Sequence, residues 1–235
     1  MVDIKRALTC AFEDPDWLDR VGLGTLISLV PILNLASLGY KVELSRRVMR
    51  GESRPLPTWD ELGKKLVDGL LWFIALLIYQ IPAALLMAGP LALVVPAFLM
   101  PREQLPVALV VAILVWVLVG GLGLLVELAV LFFYPAIYLQ YVRRGDFTAC
   151  FDWPAIMELV RRHTNPYITV VLGSLLATVI YTVGISVAGT VAYAVPCFGW
   201  IIEMVLLGVG MFWWYTVIGH LVGQLAALVQ GERAE

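Results

Sequence analysis

The stretch "LVPILNLASLGYKVELSRRVMRGESRPLPTW", Leu29 to Trp59, changes character half-way along. It opens as membrane helix, with Pro31 and Asn34 set into the apolar part. It continues as an arginine-rich tail, and a proline-bracketed turn then leads to Trp59. Lysine and arginine collect on the cytoplasmic flanks of membrane spans, so a basic cuff joined to an apolar helix is first of all an orientation signal.

The whole chain agrees with that start. Of its 235 residues 61% are hydrophobic and 14% charged, and the mean hydropathy is +0.89. Ordinary soluble domains are about 45–50% apolar with roughly a quarter of residues charged. So much apolar surface cannot be buried within one chain of this size, and the bilayer must solvate the rest. A formal net charge of -2 excludes a generally basic nucleic-acid binder. Cys10, Cys150 and Cys197 are odd in number and form no CxxC pair, which indicates neither a disulfide framework nor a zinc site. Residues 1–20 carry eight charges and no discrete apolar run, so no cleavable leader is expected.

Five apolar segments stand out: Val21–Tyr40, Gly69–Met100, Pro106–Val142, Tyr167–Val195 and Phe198–Gln230. A helical crossing needs about 20 apolar residues, so each is long enough. The runs are continuous, unlike the alternating strands of a barrel, which makes them helices. Pro106–Val142 covers 37 residues. As a helix it would be roughly 55 Å long against a hydrocarbon core of about 30 Å, so it must tilt, bend or protrude. Gly120, Gly121 and Gly123 or Pro135 are the candidate hinges. The second segment should end its crossing near Gly89-Pro90, leaving "LALVVPAFLM" at the surface or dipping back.

Charge sets the topology. Lys41, Arg46, Arg47, Arg50, Arg54, Lys64 and Lys65 follow the first segment, and Arg143, Arg144, Arg161 and Arg162 follow the third. The second connection has only Arg102, and "PCFG" has no basic residue. Both basic connections and the C-terminus are therefore expected in the cytoplasm. Val21–Tyr40 is read as a single crossing with the N-terminus outside. Its rival is a re-entrant hairpin broken at Pro31 and Asn34, with both flanks cytoplasmic.

Three short amphipathic helices should lie along the surface. One runs through Ile4, Ala7, Leu8, Ala11 and Phe12. A second should begin at Trp59 or Asp60, because Thr58 and Glu61 have capping-box spacing, and should share a face of Trp59, Leu62, Leu66, Val67 and Leu70. The third is "DWPAIMELVRRH", with Trp153, Ile156, Leu159 and Val160 inward and Arg161 and Arg162 outward. The expected fold is all-α: a polytopic helical membrane bundle with about five membrane segments and short interfacial amphipathic helices. It reads as a single integral membrane domain over 1–235, with 1–20 an N-terminal amphipathic helix and linker, 41–68 a basic cytoplasmic connection and 143–166 a second.

The opening stretch, extended back to "DPDWLDRVGLGTLISL" and on to "ELGKKLVDGL", resembles a prokaryotic membrane family named domain of unknown function 4013. The resemblance rests on Asp16-Trp17, Pro31, Asn34, Gly39-Tyr40, Arg46, Gly51, Leu56-Pro57, Trp59, Gly69, Phe151 and Gly223, and it continues to "YTVIGHLVGQ". It implies a polytopic helical fold. It brings no activity and no catalytic residue.

The inventory for chemistry is thin. His163 and His220 have no metal-ligand spacing, and no nucleophile elbow, phosphate loop or dinucleotide-binding run is present. No catalytic residue, metal or cofactor is expected, and an enzyme is not. The polar residues inside the apolar segments are Asn34, Gln80, Glu127, Glu203, His220 and Gln224. An ionisable residue within a span is costly and marks a site by default. Glu203 is close enough to Phe198 to reach the outer headgroups. Glu127 lies far from either end of its segment, so it is either a helix–helix clasp or a ligand or proton site. His220 and Gln224 share a face, with the GxxxG pair Gly219 and Gly223 beside them, which suits close helix packing.

The function expected is a non-catalytic integral membrane protein, a scaffold or accessory subunit packing against other membrane helices. The alternative is a small transporter or lipid-handling protein with Glu127 lining a cavity. Expected partners are the lipid bilayer and other membrane subunits or further copies of the chain, with no nucleic acid. The expected location is the cell (inner) membrane, crossed several times.

Overall fold

A computed structural model describes residues 2–93, 101, 104–195 and 197–231. Among the described residues every regular element is helical. The helices are α1 (Ile4–Thr9), α2 (Trp17–Leu29), α3 (Asn34–Met49), α4 (Leu62–Ala88), α5 (Leu105–Arg144), α6 (Trp153–Arg162), α7 (Thr164–Ala192) and α8 (Gly199–Gly231), with 3-10 turns at Gly89–Leu93 and Phe147–Phe151. Among the described residues four stretches are long and apolar enough to cross a membrane: Leu62–Ala92, Leu105–Arg144, Thr164–Ala192 and Gly199–Gly231. The protein is an all-α, multi-pass membrane bundle. Two compact units divide the chain, one of Met1–Phe73 with Pro135–Glu235, the other of Ile74–Tyr134.

The first apolar segment corrects the single crossing expected of it. Val21–Tyr40 is split between α2, of 13 residues, and α3, of 16, and neither approaches the length of a span. The break follows from Pro31. A residue before proline is driven out of the helical region, and Val30 has φ -95° and ψ 116°. The two arms form a hairpin joined by Ser28 and Ser37, whose hydroxyls are 2.8 Å apart.

Its packing on α8 shows the chain directions. Thr25 and Leu29 lie against Gly208, and Gly24 touches the Phe212 ring. On the other arm Asn34 donates to the Tyr215 hydroxyl at 3.3 Å, Lys41 borders Gly219, and Ser45 and Val48 border Gly223. So α2 runs against α8 and α3 runs along it, and both outer ends of the hairpin lie toward the same end of α8. There Trp59 donates to the Arg20 carbonyl at 2.9 Å, and Arg20 donates to the Leu56 carbonyl at 2.6 Å. Trp213 donates to Leu8, just after α1's first turn, at 3.1 Å. The hairpin of the rival reading is therefore the one the structure shows, with both flanks at one end of α8. Single cysteines at Lys5, Arg50 and Arg162 are expected to label from one side of the membrane, and one at Gly199 from the other. Labelling of Lys5 from the Gly199 side would restore the single crossing.

The helix expected at Trp59 or Asp60 starts instead at Leu62, because Glu61 takes a left-handed φ of 55° and breaks the capping box. It continues into α4 without interruption. Leu62, Val67 and Leu70 are exposed, whereas Lys65, Gly69 and Trp72 form the buried side. Trp59 stacks on Tyr40, with centroids 4.6 Å apart, in a cluster with Val21, Leu44, Leu56 and Phe212.

No break occurs in α5 at its glycines or at Pro135. The two compact units divide at Pro135, and Ala136–Val142 after it are buried on all sides. Gly145, with φ 68°, ends α5, and its N–H reaches the Tyr141 carbonyl at 2.9 Å. Asp152 then caps α6, accepting from the Ala155 N–H at 3.1 Å. That hydrogen bond, followed by Arg144, holds the Asp152 carboxyl below the usual carboxylate range. Ile156 and Leu159 are buried and Arg161 and Arg162 exposed, as the sequence pattern suggests, although Trp153 faces outward. The reading of "LALVVPAFLM" falls largely on residues 94–100, outside the described residues, as does Arg102.

Candidate functional site

In the larger unit, α3 carries Asn34, Ser37, Lys41 and Ser45 at helical spacing, so these polar residues form one ridge. Ser37, Lys41 and Ser45 are fully buried. The Lys41 ammonium faces three rings. Its Nζ is 4.3 Å from the Tyr138 centroid, 5.3 Å from that of Trp72 and 5.9 Å from that of Tyr215. Ring faces attract a cation electrostatically, and the attraction grows as water is excluded. Burial lowers the Lys41 pKa from 10.5 to about 7. Ser45 braces the cage. Its hydroxyl reaches the Lys41 and Gly219 carbonyls at 2.9 and 2.8 Å, and the Tyr138 hydroxyl at 3.0 Å. A serine has one proton, which goes to the carbonyls, so Tyr138 donates to Ser45.

Two crossings hold α3 in place. Against α4, Gly39 abuts the Lys65 carbonyl and Gly69 abuts the Leu35 carbonyl, so two backbones meet without side chains between them. Ion pairs flank that contact: Lys65 to Glu43 at 2.8 Å and Arg46 to Asp68 at 2.6 Å. Burial raises the Glu43 pKa, but the hydrogen bonds and charges of Lys65 and Arg47 outweigh it and leave the carboxyl lowered. Lys41 and Lys65, counted with the basic connection in the sequence, are thus buried rather than solvated. Against α8, a Cβ on Gly219 would lie 3.0 Å from the Lys41 side chain, and one on Gly223 2.6 Å from Val48.

His220 and Gln224 occupy the neighbouring face of α8. The Gln224 amide is oriented by α1, because the Asp3 N–H donates to its Oε1 at 2.6 Å. Its Nε2 donates to the Asp3 carbonyl at 3.0 Å and to His220 Nδ1 at 2.8 Å. An amide nitrogen only donates, so Nδ1 accepts and the imidazole proton sits on Nε2. An open cavity of about 560 Å³ adjoins this pair, lined also by Asp3, Arg6, Glu52 and Ser53.

The remaining polar residues lie elsewhere. In the smaller unit Gln80 of α4 donates to the Glu127 carboxylate of α5 at 3.2 Å. Gly123, one turn away, lies against Ala83, Leu86 and Met87. Glu203 borders Gly189 on α7, and its hydrogen bond and charge raise the pKa of the Tyr193 hydroxyl. Asn34 keeps its Nδ2 on Tyr215, while its Oδ1 is buried without a partner among the described residues. The structure therefore sets Gly219 against Lys41, Gly223 against Ser45 and Val48, and Asn34 on Tyr215, with His220 and Gln224 on the neighbouring face, and pairs Gln80 with Glu127. Among the described residues no group of three or more His, Cys, Asp or Glu is placed to hold a metal ion.

The family described as protein of unknown function (DUF4013) matches residues 23–189, 167 of the 235. This chain belongs to that family. The DUF4013 match includes Lys41, Ser45, Trp72, Gln80, Glu127 and Tyr138, and it stops before α8 with Tyr215, His220 and Gln224. No curated protein and no solved structure matches the chain.

Proposed function

We propose that this protein is a non-catalytic membrane subunit that packs against other membrane helices. The observation that supports this most is the Gln80–Glu127 hydrogen bond, 3.2 Å between α4 and α5. It gives the most anomalous ionisable residue of the spans a helix-joining role. The outer surface fits the reading too: Val107, Leu118 and Leu125 of α5 are all more than half exposed, offering an apolar face to lipid or to another membrane helix. The basic connections favour the cell membrane with both connections cytoplasmic.

A second reading, a small solute- or lipid-handling protein, draws on the cavity beside His220 and Gln224 rather than on Glu127. Pockets of about 300–1,000 Å³ are the size at which small molecules bind.

Two measurements separate the readings. Purification of the tagged chain from native membranes in mild detergent should yield a discrete complex with another membrane protein; isolation of the chain alone or with its own copies only would contradict the subunit reading. Hydrogen bonds between membrane helices average about 0.6 kcal/mol, so Glu127→Gln should shift thermal unfolding only slightly and leave that complex intact. Loss of the complex by a stably folded Glu127→Gln protein would show that the carboxylate does more than join two helices.

A further inference from the structure

On the solute-handling reading of the open cavity of about 560 Å³ beside His220 and Gln224, we propose that it binds a small zwitterion of the amino-acid type. The carboxylate of that ligand lies on His220 and Arg6, its ammonium toward Asp3, and an aliphatic side chain against α8. One donor in the cavity lacks an acceptor. The Gln224 amide is fixed by Asp3 and donates to His220 Nδ1 at 2.8 Å, which leaves the imidazole proton on Nε2. That N–H meets no acceptor among the described residues, although His220 is only 3% exposed. Nε2 is nevertheless not sealed off, because His220 lines both this cavity and a smaller one of about 40 Å³ that shares Arg6, Ser53 and Pro55 with it. A donor so placed favours a ligand that brings an oxygen.

The neighbouring charges define what that oxygen belongs to. Arg6 lines both cavities, and its ion pair with Glu13 is loose, at 3.9 Å with both side chains more than half exposed. A guanidinium so lightly held exchanges to a ligand carboxylate at little cost. Two carboxylates share the lining of the larger cavity. Glu52 is engaged by Arg50 at 2.7 Å and by Arg47 at 3.9 Å. Asp3 accepts the Arg6 main-chain N–H at 3.0 Å and has no ion pair among the described residues. With Glu52 answered, Arg6 and Asp3 remain, one charge of each sign. The smaller cavity adds Asp14, held by Arg20 at 2.7 Å, and Glu13 with Arg54, again one of each sign. A simple anion or cation would leave one sign unmatched, whereas a zwitterion matches both. The rest of the wall is apolar: Ala227 and Leu228 follow Gln224 along α8, and Val48 of α3 joins them in the lining. An apolar wall with a few fixed polar groups is the usual make-up of a small-molecule pocket, and the volume falls in the usual range of about 300–1,000 Å³.

The test uses the full chain purified in a neutral detergent. The probes are L-leucine, its des-amino analogue isocaproate and its decarboxylated analogue isoamylamine, each titrated while thermal unfolding is followed by tryptophan fluorescence. L-Leucine should raise the unfolding temperature at concentrations about tenfold or more below those at which either analogue does. Arg6→Gln should weaken the leucine effect about tenfold, the loss of one charge-assisted hydrogen bond. Lys5→Gln, the same charge change on an exposed side chain of α1 outside the cavity lining, should leave it unchanged. Asp3→Asn keeps a side chain that caps a helix, so it should weaken leucine and leave isocaproate as it was, a selective change that a purely structural role for Asp3 would not produce. With isotope-labelled histidine, leucine should move the Nε2–H resonance of His220 and not that of His163. Equal protection by isocaproate or by isoamylamine would overturn the zwitterion and leave a solute site of simpler chemistry. Protection by none of the three would overturn the proposal and take the cavity's support from the solute-handling reading as well. Equal losses in Arg6→Gln and Lys5→Gln, or a His220 resonance that leucine does not move, would overturn the proposal alone.

Discussion

Gly69→Ala should be among the most damaging single substitutions in this protein, with Gly39→Ala close to it. At both positions the added methyl would meet a main-chain carbonyl of the crossing helix, that of Leu35 for Gly69 and that of Lys65 for Gly39. A side chain in the way could rotate aside, but a helical carbonyl cannot, so the helices must separate. Overpacking of this kind costs about 1–3 kcal/mol or more. Separation would also stretch the Lys65–Glu43 and Arg46–Asp68 pairs that flank the contact. Gly121 and Gly184 have open space where a Cβ would go. Alanine there should be neutral or stabilise by up to about 1 kcal/mol through helix propensity. The comparison is a melting curve for each variant in the same detergent. A wild-type melting temperature for Gly69→Ala would mean that α3 and α4 do not approach this closely.

Lys41 should divide two substitutions that both remove its charge. Lys41→Ala empties a fully buried site among Trp72, Tyr138 and Tyr215, and large-to-small changes of this type cost about 2–5 kcal/mol. Lys41→Met keeps most of the volume and removes the penalty of desolvating an ammonium, so its stability should fall within about 1.5 kcal/mol of wild type or exceed it. The pH dependence follows from the direction of the shift. The pKa is lowered from 10.5 in the free side chain to about 7 in the fold. Between those values the unfolded chain binds the proton and the folded one does not, so wild-type stability should rise with pH above about 7. Below about 7 both states are protonated, and the cost of the buried charge is fully present. Lys41→Met should lack this rise. Parallel pH profiles for the two proteins would show that the Lys41 pKa is the same in the folded and the unfolded chain.

The membrane character, the helical class and the four helices long enough to cross were legible from continuous apolar runs alone, although the same runs also suggested a fifth crossing. The hairpin was only half legible. Pro31 and Asn34 marked the break, but 20 apolar residues also satisfy the length of a span, and nothing local separates the two outcomes. Packing on Gly208, Phe212 and Tyr215 separates them, and those residues lie far away in the chain.

Lys41 was missed for a related reason. With the apolar segment ended at Tyr40, Lys41 became the first residue of a solvated basic connection. Following α3 through to Met49 places Ser37, Lys41 and Ser45 four apart on one face, a polar ridge that local spacing does contain. The start of α4 failed differently: the capping-box spacing of Thr58 and Glu61 is real, but the left-handed backbone at Glu61 leaves it unused. The Gln80–Glu127 pair shows what sequence offers at such sites, since both residues stood out and only their mutual distance was missing.

The hairpin also sets a problem of timing while the chain is being made. Asn34 and its partner Tyr215 are separated by 181 residues, so α2 and α3 leave the ribosome long before the helix they pack on. At about 5–20 residues per second the interval is roughly ten to forty seconds. The arms are too short to cross the bilayer, and through that time Lys41 lacks the Trp72, Tyr138 and Tyr215 rings that later enclose it. An ammonium does not enter hydrocarbon cheaply, so α3 is expected to stay at the membrane surface until α4, α5 and α8 have inserted. The amino-terminal part of this protein is thus translated early and completed late, and the insertion machinery receives it as a surface segment.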